Sequence, residues 1–228
     1  MFGRQKIAMI IAEFIGTFSL AGAVLAMSGR TSFPFFAALI AGLIYGLMVL
    51  VIGSASGAHL NPAVTVGMWT VRKIGTATAV VYIVAQTLGG LASWAFNGYL
   101  LDAPLKNMVG HKFVTRVLVA EAVGALIFAF GYASAVYQNY KGLRRAATIG
   151  ASLTLGILLA TFASNGILNP ALAIGVRSWG LAYVVGPLVG AVVGVNLYAR
   201  LFAPAPAVSR AAVRKPAKKP TVKKSSRR

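Results

Sequence analysis

The sequence predicts an all-α membrane protein: six transmembrane helices plus two re-entrant half-helices, arranged as an inverted repeat. Three observations carry this prediction: apolar windows of membrane length, a self-similarity at one fixed offset, and an Asn-Pro pair in each copy. Of the 228 residues, 58% are hydrophobic and 11% charged, whereas soluble domains carry about 25% charged residues. A soluble core has no room for so much apolar surface.

About 20 apolar residues at a rise of about 1.5 Å cross a hydrocarbon layer of roughly 30 Å. Six nearly charge-free windows meet that requirement, at about 7–27, 34–53, 76–100, 117–136, 146–164 and 179–200. The first also has the look of a signal-peptide core behind Arg4 and Lys6, but its sequence returns later in the chain, which favours a span. There is no Cys, so disulfides and thiol chemistry are absent and the redox compartment is not readable.

The formal net charge of +19 would suggest nucleic acid if it covered a soluble face. Its distribution instead describes topology. With both termini on one side, that side holds Arg4, Lys6, Arg72, Lys73, Lys141, Arg144, Arg145 and the ten basic residues from Arg200 onward. The other side holds Arg30, Lys106, Lys112, Arg116 and Arg177. Lys and Arg collect on the cytoplasmic side, so both termini are expected in the cytoplasm of a plasma (cell inner) membrane protein. Nucleic acid is not an expected partner.

A shift of 108 residues lays Ala12–Glu13 on Ala120–Glu121, Gly16 on Gly124, Asn61-Pro62-Ala63 on Asn169-Pro170-Ala171, and Gly67 on Gly175. Repeat one covers about 7–100 and repeat two about 115–200. Three spans per copy turn the second copy upside down in the bilayer, an architecture that channels and transporters build around a midplane site. The segments 54–75 and 165–178 are apolar yet too short to cross and return, so each is expected to dip in from its own face. Asn is a favoured N-cap, and Pro at the first helical position gives up an N–H that lacks a partner anyway. Asn61-Pro62 and Asn169-Pro170 therefore read as starts of half-helices.

Irregular backbone at membrane depth is tolerated only where protein buries it or water reaches it, so the caps imply a wet cavity. Two helix N-termini facing that cavity disfavour cations, and Asn amides offer hydrogen bonds to a neutral solute. Glu13 and Glu121 are the only acids within the spans. An intramembrane carboxylate suggests function by default, but matched positions in both copies favour a loop-supporting role over a proton relay. His59, two residues before Asn61, is expected to pack against or bond its loop. His111 is expected to be solvated. Gly89, Gly90, Ala92 and Ser93 suit close helix packing, and Trp69, Trp94, Trp179 and Tyr198 read as interfacial anchors.

With SGAHLNPAVT at 56–65, LNPA at 168–171 and the paired AE-x-x-G segments, residues of about 7–200 resemble the aquaporin, or major intrinsic protein, family. The resemblance implies an aquaporin-like channel domain over 1–200, one pore per subunit, a homotetramer, and passage of water or small neutral solutes without cofactor or metal. It also implies an outer constriction that, counted from the two Asn residues, falls on Ala41, Ile157, Gly166 and Leu172. Water-selective relatives carry an aromatic residue, a His, a small residue and an Arg there. Leu172 stands in place of the family Arg, and Ala173 in place of the Asp of glycerol-conducting relatives, so a wider, more apolar constriction is expected. Arg177 is expected at the interface.

The segment 203–228 is Pro-rich and basic, and is expected to be a disordered cytoplasmic tail whose cations favour anionic lipid. A secondary transporter for a small neutral solute and a non-conducting membrane scaffold stand as alternatives. An enzyme finds no metal-ligand or nucleophile–base spacing.

Overall fold

The computed structural model describes residues 3–27, 34–104 and 113–204. Arg30, Lys106, His111, Lys112 and positions 205–228 of the basic tail lie outside the described residues. Eight helices follow in order among those residues: α1 (Arg4–Met27), α2 (Pro34–Ser56), α3 (Pro62–Thr70), α4 (Thr76–Leu101), α5 (Thr115–Tyr137), α6 (Gly142–Ala160), α7 (Pro170–Gly175) and α8 (Leu181–Leu201). All except α3 and α7 are long and apolar enough to cross a membrane.

The fifth span departs from its expected bounds. Charge placed its start at 146, yet α6 begins at Gly142 and carries Arg144 and Arg145 in its first turn, since long cationic side chains reach polar surroundings from apolar helices. It ends at Ala160, not 164, because the chain then turns so that Ser164 meets Glu121. Tyr198 also differs from the expectation of an interfacial anchor. It is 5% exposed, packs against Phe130, Tyr137 and Phe202, and accepts a hydrogen bond from Gln138. Its place near the end of α8 lies under an aromatic cluster that the sequence alone does not bring together.

Packing repeats across the two copies. α3 lies on α8 and α7 lies on α4, so each half-helix rests on a long helix of the other copy. Absent side chains permit the approach: a Cβ on Gly67 would stand 3.0 Å from Ala191 O, and one on Gly90 only 2.3 Å from Ala171 O. Between the copies, α2 and α6 touch at Gly42 and Gly150, where a Cβ on either would lie 2.5 Å from the other's carbonyl oxygen. These two glycines are themselves related by the 108-residue shift. Small residues that let backbones meet are the usual means of association where apolar burial gives no drive.

The half-helices leave the centre toward opposite faces. Trp69, near the end of α3, donates its indole N–H to Thr76, the first residue of α4, at 3.0 Å. Arg177, just past α7, lies over the ring of Trp94 at 5.3 Å. Thr76 and Trp94 are 18 residues apart on one helix, about 27 Å along its axis. The short helices thus end near opposite ends of a single span.

Candidate functional site

Local sequence builds both caps in the same way. Asn61 has extended backbone (φ −157°, ψ 118°) and its Oδ1 accepts from Ala63 N at 2.8 Å, with Pro62 opening α3. Asn169 (φ −151°, ψ 110°) accepts from Ala171 N at 3.0 Å and Leu172 N at 3.2 Å, with Pro170 opening α7. The amide of each then crosses to the other copy. Asn61 Nδ2 donates to Leu168 O at 2.9 Å, and Asn169 Nδ2 to Leu60 O at 2.8 Å. These reciprocal bonds hold the two helix beginnings together, and each amide keeps a second N–H.

The loops that lead to the caps share one backbone solution. Ala58 and Leu60 have φ of 55° and 49°, and their counterparts Gly166 and Leu168 have 63° and 54°. Left-handed conformations are unfavourable by roughly 1–2 kcal/mol for a residue with a Cβ, so something must hold Ala58, Leu60 and Leu168. Alternating backbone of this kind aims successive N–H groups at one point, a concavity suited to an anion.

Glu13 and Glu121 fill those concavities. Glu13 Oε1 accepts from Ser56 Oγ at 2.6 Å and His59 N at 2.9 Å, and its Oε2 from Leu60 N at 2.7 Å. Glu121 Oε1 accepts from Ser164 Oγ at 2.8 Å and Ile167 N at 3.0 Å, and its Oε2 from Leu168 N at 2.6 Å. Both are fully buried. Ser56 and Ser164 also accept from Ala58 N and Gly166 N, closing each loop on itself.

Around the first loop lies a polar network that sequence reasoning missed. Gln86 Nε2 donates to Glu13 Oε2 at 2.7 Å and to Thr65 Oγ1 at 3.0 Å. His59 Nδ1 meets Thr65 Oγ1 at 3.1 Å, and its ring sits edge-on to those of Tyr82 and Tyr132. The loop's carbonyls meet a further set of donors. Tyr82 OH donates to Ser56 O at 2.8 Å, Tyr132 OH to Gly57 O at 2.8 Å, and Arg145 Nη2 to Gly57 O at 3.2 Å. The hydroxyl of Tyr45 reaches Ala58 O at 3.2 Å and bonds His59 O as well. Gln86 was the one readable clue, an amide within an apolar run.

Of the expected constriction residues, Ile157 and Gly166 are neighbours: a Cβ on Gly166 would stand 3.0 Å from Ile157 Cγ2. Ala41 is 1% exposed and Leu172 3%, both within the buried core that also holds Ile157. On α2, Ala41, Tyr45 and Val49 are buried in steps of four, as are Ile149, Leu153 and Ile157 on α6. Arg177 is partly buried against Trp94.

Two inverted three-span units whose capped half-helices meet inside a bundle of membrane-length helices define an integral membrane protein of the pore-forming kind. The chain belongs to the major intrinsic protein family, whose profile matches residues 3–198. It is 32% identical over 207 residues to aquaporin NIP1-1 of Oryza sativa subsp. japonica, covering 82% of this chain and 72% of that one. It is 35% identical over 156 residues to aquaporin-4 of Notomys alexis, covering 64% of this chain but only 45% of the relative's length. The aquaglyceroporin from Plasmodium falciparum shares the fold, with a TM-score of 0.70 at 23% identity over 86% of this chain and 96% of that one.

Proposed function

We propose that the chain is a passive channel for water and small uncharged solutes, assembled as a homotetramer in the plasma (cell inner) membrane with both termini in the cytoplasm. The observation that carries this reading is the reciprocal bonding of Asn61 and Asn169 across the two copies. It brings two helix N-termini, each equivalent to roughly half a positive charge, to one point. A cation there meets repulsion from both sides, while a neutral solute finds the remaining amide N–H groups.

Passive flux is favoured over coupled transport because coupling calls on ionisable groups that are free to change partners. Glu13 and Glu121 are instead committed to backbone N–H groups of their own loops. They act as loop supports, with His59 wedged between tyrosines on the first loop. Ala41, Ile157, Gly166 and Leu172 form the outer constriction in this reading. It lacks a guanidinium, so it is wider and more apolar than a water-selective filter and admits solutes larger than water, with dewetting as its barrier. The basic segment from 203 onward rests on anionic lipid at the inner face.

Stopped-flow light scattering on proteoliposomes tests the proposal by comparing water, glycerol, urea and ammonia. Rates above those of protein-free vesicles for water and at least one small neutral solute are expected. Equal rates for all four would overturn the channel reading in favour of a non-conducting scaffold, and saturable uptake driven by a proton or sodium gradient would favour a transporter.

A further inference from the structure

The carbonyls of Gly57, Ala58 and His59 form a row of oxygens leading to the Asn61 cap. Left bare beside water, such a row favours cations, because carbonyl oxygens replace a cation's hydration shell. Here it is not bare. Tyr132 and Arg145 both donate to Gly57 O, and Tyr45 reaches Ala58 O and His59 O. These donors come from three different spans, α5, α6 and α2, converging on one strand of loop backbone.

Arg145 differs from the other two in carrying a positive charge. Its Nε is buried without a hydrogen-bond partner among the described residues. It forms no ion pair with a described carboxylate: Glu13, on the same loop, and Glu121 are bonded to backbone N–H groups, and Asp102 stands at the C-terminal end of α4. Its position on α6 also matters. The ridge of side chains running Ile157, Leu153, Ile149 in steps of four residues arrives at Arg145 about 18 Å from Ile157 along the axis. The helix that contributes Ile157 to the expected outer constriction therefore contributes a fixed cation at the other end of the same path, whereas Leu172 brings no charge to the outer end.

We infer that Arg145 is a charge-selective residue of this pore, and that cation exclusion, beside that of the paired helix N-termini, resides at the mouth of the first loop and not at the outer constriction. The inference rests on the channel reading above. Arg145 caps the Gly57 end of the carbonyl row by hydrogen bonding and repels any cation approaching it.

The test uses the whole 228-residue chain in vesicles loaded with a sodium-sensitive dye, with osmotic water permeability measured on the same preparations. Wild type is expected to pass water and stay tight to sodium. Arg145→Gln is expected to keep water permeability within about twofold and to raise sodium entry about tenfold or more, because it removes a unit charge that opposes cations. Arg145→Lys, which keeps the charge, should remain tight. Arg145→Cys guards against a folding defect, because the chain has no other thiol. Its sodium leak should fall when the thiol is modified with 2-aminoethyl methanethiosulfonate, which restores a cation, and persist with neutral methyl methanethiosulfonate. Sodium tightness in both Arg145→Gln and unmodified Arg145→Cys with water flux intact, or equal leak with either adduct, would overturn the inference. Wild type no more permeable to water or glycerol than protein-free vesicles would sink the channel reading itself, a separate outcome.

Discussion

The two re-entrant loops share a frame and differ in their walls. Each is tied to a buried Glu through a serine hydroxyl and two backbone N–H groups, and each ends in an Asn cap whose amide crosses to the other copy. The first loop is then wrapped by Tyr45, Tyr132 and Arg145. Shifted by 108 residues, those three positions are Leu153, Val24 and Ala37, all apolar. What both copies retain is what the fold requires. What only one copy has is the wall to which the Arg145 inference assigns charge selectivity.

The largest expected effects come from breaking the shared frame. Glu13→Ala and Glu121→Ala each leave two buried backbone N–H groups without an acceptor, at about 1–3 kcal/mol apiece. Both variants should lose much of their thermal stability in detergent and their flux in vesicles, the Glu13 variant somewhat more because Gln86 Nε2 also loses an acceptor. A large loss in one copy with little change in the other would break the equivalence.

The caps come next. Asn61→Ala and Asn169→Ala each lose a helix cap, about 0.5–2 kcal/mol, and a crossing bond to the other copy. A lower melting temperature is expected for each, smaller than that of the Glu variants. Melting as stable as wild type would mean that the crossing bonds contribute nothing net.

Changes to the walls should show chiefly in permeation, with a cost in stability where a charge enters a buried position such as Leu172. Leu172→Arg puts a guanidinium at the expected outer constriction, and should lower glycerol and urea permeability several-fold while water passes. An unchanged solute range would remove Leu172 from the path. Tyr45→Phe deletes one hydroxyl donor, a bond of about 0.5–1.5 kcal/mol, and is expected to change water flux by no more than about threefold. Opposed changes in these two variants, one narrowing the solute range and the other loosening the first-loop end, would sharpen the division between the walls.

The frame was legible in the sequence because it depends on residues whose chemistry is conspicuous in apolar surroundings. Two Glu and two Asn-Pro pairs at one offset stand out against a run of Ala, Leu, Val and Gly. Span existence was equally plain, because length and hydropathy determine it. The wall was not legible. Tyr45, Tyr82 and Tyr132 sit within apolar helices where a tyrosine passes for core, and only the turn of the first loop brings their hydroxyls to a row of carbonyls. Arg145 counted as one more topological charge, because nothing local announces that a cation in the first turn of α6 reaches Gly57. Tyr198 went the other way, an end-of-span aromatic that tertiary packing buried.

The most direct test of the paired caps uses the absence of cysteine from the chain. Val64 and Leu172 each follow an Asn-Pro-Ala box and are related by the 108-residue shift. Val64→Cys and Leu172→Cys, made singly, would be treated with a membrane-impermeant mercurial from one side of sealed vesicles at a time. Each adduct should stop water flux, the two thiols should react from opposite sides, and wild type should be insensitive. Labelling of both from the same side, or full labelling with flux unchanged, would contradict the paired caps.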